Sequence, residues 1–478
     1  MVLPNQWFDA TWWKRILEKN PAVTICIWED PIFYGFDQEY KQILKLNKLR
    51  LVYQRVGHGL LAKRLDEIFA MGIDAISKHF KDKSLIMYDP CDKEFAKRII
   101  QSNVPCVIED TPSFITSRDD CIAYYGSKPR IHLYQKPFYM YVKNKIRLLQ
   151  DVPSQDVNNR VPYPLKPKQE ERVKNVYIST SSNKYNNQFR EAIEWVQKHN
   201  VFKHNYGPLE PNNIVTMVKD HLSRLPLTPK EASNWLELFL VERFKLFGKY
   251  EDAIVKDHPN MFHTCISTFL NTGLLTPLST IQHIIKFGTQ YKIAINNIEG
   301  LCRQIIGWRE FSRLYYMFVD KSVYKKNALN ITDHNDQLAQ FYNATTGFTI
   351  ADDAIRNAFD TGYLHHIRRL MVMSNLMTLK NIHPDNVFKW MYEFSLDSWD
   401  WVMVFNVYSM GTWSDGGYSM HKPYISSGAY LKRMSRGYAD NHFDEWTRLY
   451  RTFIEQHRAA LQHTPLLLKT SPLFRLMQ

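Results

Sequence analysis

Several motifs that would assign a chain to a well-known enzyme class are missing from this sequence. It has no G-x-x-x-x-G-K-[ST] loop, no G-x-G-x-x-G after a first strand, no H-E-x-x-H and no G-x-S-x-G. The usual phosphate-cradling loops, the helical zinc motif and the hydrolytic serine elbow are therefore excluded. The sequence also lacks low-complexity blocks and internal repeats, so we expect a folded chain throughout.

Cysteine is scarce, and long apolar runs are absent. The six cysteines are scattered, with no C-x-x-C pair: Cys26, Cys91, Cys106, Cys121, Cys265 and Cys302. This spacing predicts neither a disulfide framework nor a zinc ribbon, and it favours a reducing compartment. No signal-peptide pattern opens the chain, and no run approaches eighteen apolar residues. We expect a soluble, intracellular protein that is not secreted and contacts no membrane.

The composition is that of a basic globular protein. The chain has 478 residues, with 45% hydrophobic and 23% charged residues, which is enough for two or three domains. The formal net charge of +13 predicts a polyanionic partner. Charge alone does not separate DNA from RNA or from an anionic membrane.

The first third of the chain alternates between two kinds of pattern. Short β-rich runs at 22–28, 49–56, 84–89 and 104–110 predict strands, and the segment 62–71 has helical periodicity. Such alternation is typical of a parallel, Rossmann-like sheet covered by helices. We therefore predict an α/β domain over residues 1–144.

Helical signals dominate the second half. Residues 145–186 are polar and contain prolines, which predicts an interdomain linker. An all-helical domain is predicted for 187–478. Within it, Thr228, Pro229 and Glu231 form a capping-box signature. An apolar stripe follows: Trp235, Leu236, Phe239 and Leu240.

The segment "TGYLHHIRRLMVMSNL", residues 361–376, combines charge with an apolar run. Its pattern predicts a helix from His365 to Met377 in which Arg369 neighbours both histidines, while the adjacent histidines do not stack on each other. A buried guanidinium needs a carboxylate or a phosphate. Asp397 is the first candidate carboxylate and Asp400 the second. The alternative from the residues alone is a solvated arginine pair and a core histidine.

Five ordered segments carry a family resemblance: "YEDAIV…FHTCISTFLNTGLLTP", "IIGWREFSRLYYMFV", "HHIRRLM", "LDSWDWVMVFNVYSMGTWSDGG" and "KPYISSGAYLKRMS". Together with "LPNQWF", "WEDPIF" and "LNKLRLVYQR", they resemble the photolyase/cryptochrome superfamily. The likeness is greatest to the bacterial iron-sulfur branch that repairs (6-4) photoproducts. It implies an α/β antenna domain, a long linker and a helical domain that binds FAD.

The resemblance also implies site residues. Thr264 and Ser267 would bind the FAD pyrophosphate, with Tyr250 just upstream. Arg369 and Asp397 would form an ion pair against the flavin ring. Two further residues are implied at the cofactor: Met403, which would face flavin N5, and Asn406.

The family's reaction implies further roles. Photoexcited reduced flavin passes an electron to a flipped-out pyrimidine dimer in UV-damaged DNA. His366 would supply the proton that a (6-4) photoproduct needs, with His365 as its neighbour. Trp308 and Arg309 would lie at the mouth of the DNA pocket, and Tyr424 would contact the lesion.

Three features depart from the family pattern or follow it loosely. No cysteine follows Cys302, so the branch's iron-sulfur cluster is not expected. In the aromatic relay that reduces the flavin, Trp390 matches, whereas Tyr342 stands in place of a tryptophan and Met391 in place of a tyrosine. Trp399 or Tyr392 offers another path. Glu29 resembles a contact of a ribityl-lumazine antenna, although it could equally be a turn cap.

The sequence leaves several functions open. A light-dependent photolyase that favours (6-4) photoproducts is the first, and a cyclobutane dimer photolyase is a close alternative. A cryptochrome-like blue-light photoreceptor and a nucleic-acid-binding protein that has lost FAD are the others. We expect a monomer.

Overall fold

A computed structural model describes most of the chain. The described residues are 1–34, 48–61, 66–69, 73–126, 133–173, 184–198, 221–320, 322–323, 326–331, 335–420 and 423–462.

Two pairs of parallel strands form the N-terminal sheet structure. The strand β1 (Cys26–Glu29) pairs with β2 (Asp66–Phe69), and β3 (Leu85–Tyr88) pairs with β4 (Cys106–Glu109). The N-terminus joins the two pairs. Val2 exchanges backbone hydrogen bonds with Cys26 and Trp28 of β1, and the terminal amino group donates to the carbonyl of Ile86 in β3 at 2.8 Å.

Helices make up most of the remaining structure. In the N-terminal third they are Ala10–Lys19, Lys48–Leu61, Ile73–His79, Lys93–Gln101, Arg118–Gly126 and Gln135–Ile146. Farther along they are Asn186–Lys198, Pro229–Glu242, Ser267–Thr272, Pro277–Gln290, Ile295–Arg303, Glu310–Phe318, Asn335–Asn343, Thr349–Thr361, Asn375–Leu379, Pro384–Phe394, Asp400–Val404, Gly428–Met434, Asp440–Gln456 and Arg458–Gln462. Three π-helical segments interrupt them: Gln304–Arg309, Arg368–Ser374 and Phe405–Gly411.

Two N-terminal predictions were wrong: a segment predicted as a strand is helical, and a segment predicted as helical contains a strand. The predicted strand 49–56 lies inside the helix Lys48–Leu61, and the predicted helical segment 62–71 contains β2. The run 49–56 is rich in β-branched and aromatic residues, yet Leu51, Val52 and Val56 are all buried in helical geometry. A parallel pair needs a crossover between its strands, and this helix supplies the crossover from β1 to β2. The three other strand predictions each overlap an observed strand: 22–28 overlaps β1, 84–89 contains β3 and 104–110 contains β4.

The predicted capping box is confirmed at the helix Pro229–Glu242. The Glu231 amide donates to the Thr228 hydroxyl at 3.4 Å, and the Glu231 carboxylate accepts from the Thr228 amide at 3.2 Å. The stripe Trp235, Leu236, Phe239 and Leu240 is buried, as predicted.

The substitution Thr228→Ala should therefore destabilise the protein by about 0.5–2 kcal/mol, because it removes the side-chain acceptor of the first helical turn. Thermal unfolding of the purified protein measures this loss. Ser233→Ala in the same helix is the control, since the exposed Ser233 hydroxyl donates to the Pro229 carbonyl and accepts from no amide of the first turn among the described residues. Equal losses in both variants would contradict a specific capping effect.

Buried charges hold the N-terminal part against the helical part. The Glu310 carboxylate accepts from the amides of Ile115 and Thr116 at 3.0 Å each. One turn later, Arg313 donates to Asp89 at 2.8 Å, and both side chains are buried. These contacts fix the helix Glu310–Phe318, and with it one wall of the site described below.

The coarse fold class agrees with the sequence prediction, with one correction. Small parallel sheets precede a helix-rich region, but that region is not purely helical: the strands β5 (Ile254–Val255) and β6 (Ser435–Arg436) form a short parallel pair. Between 147 and 173 the described chain forms only short 3₁₀ turns, as a linker would. The domain boundaries themselves stay predictions. No helix among the described residues is long and apolar enough to cross a membrane.

Candidate functional site

The helical part encloses a cavity of about 730 Å³. All three π-helical segments contribute to its wall, through Trp308, Arg369 and Asn406 among others. A π-turn carries an extra residue per turn and is frequent at functional sites. Nothing in the 3.6-residue periodicity of the sequence signals these segments, so sequence reasoning missed them.

The segment singled out in the sequence runs along this cavity. Gly362 ends the helix Thr349–Thr361 in the left-handed conformation with φ 66°, and the Leu396 side chain packs where a Cβ atom would lie. The new helix begins at His366, one residue later than predicted, and continues through the π segment to Leu379. Leu396, whose amide donates to the Gly362 carbonyl at 2.9 Å, brings Asp397 to the same wall.

Arg369 and Asp397 form the predicted ion pair. The guanidinium donates to the carboxylate at 2.8 Å and to the Ser395 hydroxyl at 3.0 Å, and its Nε donates to the Leu364 carbonyl at 2.7 Å. Asp397, and not Asp400, is therefore the partner. Both members of the pair line the cavity.

The pair keeps a charged carboxylate inside the protein. Burial alone would raise the pKa of Asp397, but the charge of Arg369 and the hydroxyl groups of Ser267 and Ser395 outweigh it. The net effect lowers the pKa of Asp397 below its ordinary value. The cavity thus has a fixed dipole on one wall at neutral pH.

His366 opens onto the same cavity. Its side chain is 41% exposed, and its Nε2 lies 3.9 Å from Oε1 of the buried Glu251. Glu251 is itself positioned by Gln304, whose amide donates to it at 2.8 Å. The exposed part of the ring faces the cavity, and the surrounding protein still disfavours its charged form: burial, followed by the charges of His263, Arg160 and Arg369, lowers the pKa of His366 below its ordinary value. These effects favour the neutral form of the His366 imidazole.

His365 does not face the cavity. It is 1% exposed, and its ring stacks on that of His263 with centroids 4.2 Å apart and planes 12° apart. Neither ring nitrogen of His365 has a hydrogen-bond partner in the described part of the chain. The ring of His366 lies 6.4 Å away at 74°, so the prediction that adjacent histidines do not stack is confirmed. Of the two candidate catalytic histidines, only His366 is among the residues that line the cavity.

Two residues of this cluster escaped the sequence reasoning. His263 contacts both predicted histidines, with its centroid 5.2 Å from that of His366, and Glu251 lies beside His366. Each belongs to a segment quoted above, "FHTC" and "YED". Only the fold brings these segments against the helix of His366.

Trp308 and Tyr424 line the cavity, half-buried, from separate elements. Arg309 also lines it, but its guanidinium already donates to the Ser113 carbonyl at 2.6 Å and lies between the rings of Phe114 and Trp401. Burial lowers the pKa of Arg309 to about 10. This geometry favours a structural role for Arg309 over the predicted DNA contact.

Most of the predicted cofactor residues meet at the cavity, and one does not. Thr264, Ser267, Met403 and Asn406 line it. Tyr250 is buried elsewhere: its hydroxyl donates to Glu171 at 2.6 Å, next to the predicted linker.

The predicted relay residues are buried or half-buried behind the cavity wall. The Trp390 indole donates to the Phe341 carbonyl at 2.9 Å, and the Tyr342 hydroxyl donates to Glu393 at 2.6 Å. Trp399 lies on another side, 5.1 Å from the Arg50 guanidinium. Glu29 is the last residue of β1, and its side chain lies outside what the structure describes.

The described residues offer no site for a metal ion. Among the described residues, no group of three or more His, Cys, Asp or Glu side chains could hold a metal ion. All six thiols are free.

Comparison with known proteins gives sequence relatives for parts of the chain. Residues 34–214 match the family described as deoxyribodipyrimidine photo-lyase-related protein. A (6-4) photolyase of Agrobacterium fabrum is 31% identical over 247 residues, which cover 52% of this chain and 46% of that protein. The match thus spans about half the length of that relative. An uncharacterised protein of Acanthamoeba polyphaga mimivirus, R855, is 48% identical over 85 residues, or 18% of this chain and 69% of that protein.

Solved structures resemble the whole fold. A bacterial class III photolyase from Agrobacterium tumefaciens superposes with a TM-score of 0.59 at 13% identity, covering 98% of this chain and 90% of that one. A cryptochrome from Synechocystis gives 0.56 at 14% identity, covering 100% and 91%. At these identities the likeness concerns the fold.

Proposed function

Because this chain belongs to the photolyase/cryptochrome superfamily, in the branch of the deoxyribodipyrimidine photo-lyase-related proteins, we propose that it is a light-dependent DNA photolyase. Its substrate would be UV-damaged DNA, with (6-4) photoproducts favoured. The observation that carries the proposal is one cavity that holds both the Arg369–Asp397 pair and the open imidazole of His366.

The residues present fit FAD. A volume of about 730 Å³ lies within the range of roughly 300–1,000 Å³ that is usual for cofactor and small-molecule sites. Its walls are largely apolar, with a few convergent polar groups, which is the composition such sites have. Thr264 and Ser267 would bind the phosphates, and the Arg369–Asp397 dipole would orient the ring beside Met403 and Asn406. The chemistry that reduced FAD supplies when bound is the light-driven transfer of an electron to a pyrimidine dimer.

The chain's own residues would serve the lesion in three ways. Trp308 and Tyr424 offer aromatic faces on which flipped-out bases can stack. A lesion bound in the cavity would displace water from the reacting groups. His366 holds one proton on its neutral ring, and Glu251 lies close enough to orient that ring or to stabilise it when charged.

Light and defined lesions test the proposal. The purified protein should show a bound-flavin absorption spectrum. After reduction, it should repair an oligonucleotide with a single (6-4) photoproduct under blue light but not in the dark. An oligonucleotide with one cyclobutane dimer identifies the alternative photolyase.

The negative outcomes of that test are distinct. Bound flavin without repair of either lesion would favour a cryptochrome-like photoreceptor. The similarity of this fold to the Synechocystis cryptochrome is compatible with that function. Absence of flavin would refute both readings and leave a nucleic-acid-binding protein.

A further inference from the structure

Aromatic rings form a continuous path from the cavity wall to Tyr342. Arg369, on that wall, lies over the Phe394 ring at 5.5 Å, and the Phe394 and Trp390 centroids are 4.8 Å apart. The Phe359 ring contacts both Trp390, at 6.1 Å, and Tyr342, at 6.3 Å. Only the indole and the phenol in this path are oxidised readily, so Phe359 acts as a bridge between them.

Tyr342 has a proton acceptor already in place. Its hydroxyl donates to Oε2 of Glu393 at 2.6 Å, and Glu393 is fully buried. Burial, with the charge of Glu393 next, raises the pKa of Tyr342, so the phenol carries its proton before any oxidation. A phenol that loses an electron becomes strongly acidic, and its oxidation is easy only where a base can take the proton at once.

Trp399, the alternative electron donor, lies beside a positive charge, whereas Tyr342 lies beside a carboxyl group. The Arg50 guanidinium lies 5.1 Å from its ring and 4.9 Å from that of Tyr392, and Arg50 is 0% exposed. A buried positive charge at this distance opposes the formation of a tryptophan radical cation. Electrostatics therefore favours the path through Trp390.

In the aromatic relay that the family resemblance implies, Tyr342 stands where a tryptophan is expected, and we propose that Glu393 is the base that accepts its proton when it is oxidised. The inference rests on the proposed flavin-dependent function. One electron passes from Tyr342, through Phe359 and Trp390, to photoexcited oxidised flavin. The Tyr342 O–H bond breaks as the proton moves to Glu393 Oε2, which leaves a neutral tyrosyl radical and a protonated carboxyl group. A thiol in solution then reduces the half-buried radical by one electron, and the proton returns from Glu393.

Four variants of the FAD-loaded, full-length protein test the proposal. They are Tyr342→Phe, Glu393→Gln, Trp399→Phe and the double variant Tyr342→Trp with Glu393→Gln. The first three are compared with the wild type, and the double variant is compared with a fifth protein, the single variant Tyr342→Trp. The rate of flavin photoreduction under blue light with excess thiol is measured in H₂O and in D₂O. Electron paramagnetic resonance of illuminated, frozen samples detects the tyrosyl radical.

The first two variants should slow photoreduction about tenfold or more, equivalent to at least about 1.4 kcal/mol of barrier, and abolish the tyrosyl signal. Trp399→Phe should change the rate less than about twofold, well under that figure. The wild type should show a solvent isotope effect that Glu393→Gln alters. In the Tyr342→Trp background, Glu393→Gln should have little effect, because an indole radical cation needs no immediate base.

Specific results would overturn the proposal. They are an unchanged rate in Glu393→Gln, an equal loss in both backgrounds, which indicates a structural role, or a larger loss in Trp399→Phe than in Tyr342→Phe. In the flavin-free protein, the tyrosine bands of the resonance Raman spectrum should also shift in Glu393→Gln, and no shift would argue against the bond itself.

Repair is also measured with protein whose flavin has been reduced chemically, because that step bypasses photoreduction. This measurement tests the proposed function independently of the proton acceptor. Normal repair with unaltered photoreduction in Glu393→Gln refutes the relay and leaves the function standing. Photoreduction that depends on Glu393, in a protein that repairs neither lesion, leaves the relay standing and refutes the function. A wild-type spectrum without flavin refutes both.

Discussion

The substitution Arg369→Met is expected to destabilise the protein by about 3–5 kcal/mol, because it leaves the Asp397 carboxylate buried without its cation. Asp397 is 5% exposed, and the hydroxyl groups that remain beside its carboxylate, those of Ser395 and Ser267, carry no charge. Thermal and denaturant unfolding measure the loss. We also expect the variant to be purified without FAD, as judged from its absorption spectrum.

The double variant Arg369→Met with Asp397→Leu separates stability from binding. Removing both charges leaves no unpaired ion, so it should recover much of the stability lost in Arg369→Met. If the pair also orients the flavin, the double variant should be stable and still lack FAD. Recovery of both stability and FAD would show that the pair serves only the fold.

The same pair gives a pH prediction. The folded-state pKa of Asp397 is lowered, so its carboxylate stabilises the protein fully above the unfolded pKa of about 3.9. That contribution is lost as the pH falls through the lower folded-state pKa. As the pH falls below about 4, the wild-type protein should therefore lose more free energy of unfolding than the double variant, which has no carboxylate at position 397 to protonate. A stability difference that stays constant between neutral pH and pH 3 would contradict this assignment.

The Arg369–Asp397 pair was predicted more accurately from the sequence than the strands and helices of the N-terminal sheet. Motif residues such as Arg369 and Asp397 were identified because a buried guanidinium demands a carboxylate, and that demand does not depend on the exact fold around it. The exchange of helix and strand between 48 and 69 has a different origin. Short apolar runs fit both periodicities, and the choice is made by partners distant in sequence, here the strand β1.

Some site features could not have been predicted from one sequence. The π-helical segments need an extra residue per turn, which leaves no composition signal. Glu251 and His263 reach His366 only through the packing of three separate elements. The Tyr342–Glu393 hydrogen bond joins residues 51 positions apart in the sequence. Arg50 donates a hydrogen bond to the carbonyl of Tyr392, which lies 342 positions later. In each case the sequence supplied the residue type and the fold supplied the neighbour.

The substitution His366→Ala is expected to reduce (6-4) repair by about 10²–10⁴-fold, the usual contribution of a positioned general acid, while FAD stays bound. His366 opens onto the cavity and contacts Glu251 and His263, whereas the Arg369 guanidinium that would orient the flavin is bonded to Asp397, Ser395 and the Leu364 carbonyl. Single-turnover repair of one defined lesion, at equal flavin content, measures the effect.

Cyclobutane dimer repair is the internal control for His366→Ala, because splitting that lesion requires an electron but no obligatory proton donor. Equal losses on both lesions would point to a binding role, and retained (6-4) repair would exclude the proton-donor role. The lowered pKa of His366 also sets the expected pH dependence. The free enzyme keeps the imidazole neutral down to well below pH 6.5, so His366 itself should introduce no loss of repair between pH 8 and pH 6.5. Substrate phosphates near the cavity would raise this pKa, since a negative charge favours the imidazolium form, and would bring the proton donor closer to its working range only when DNA is bound.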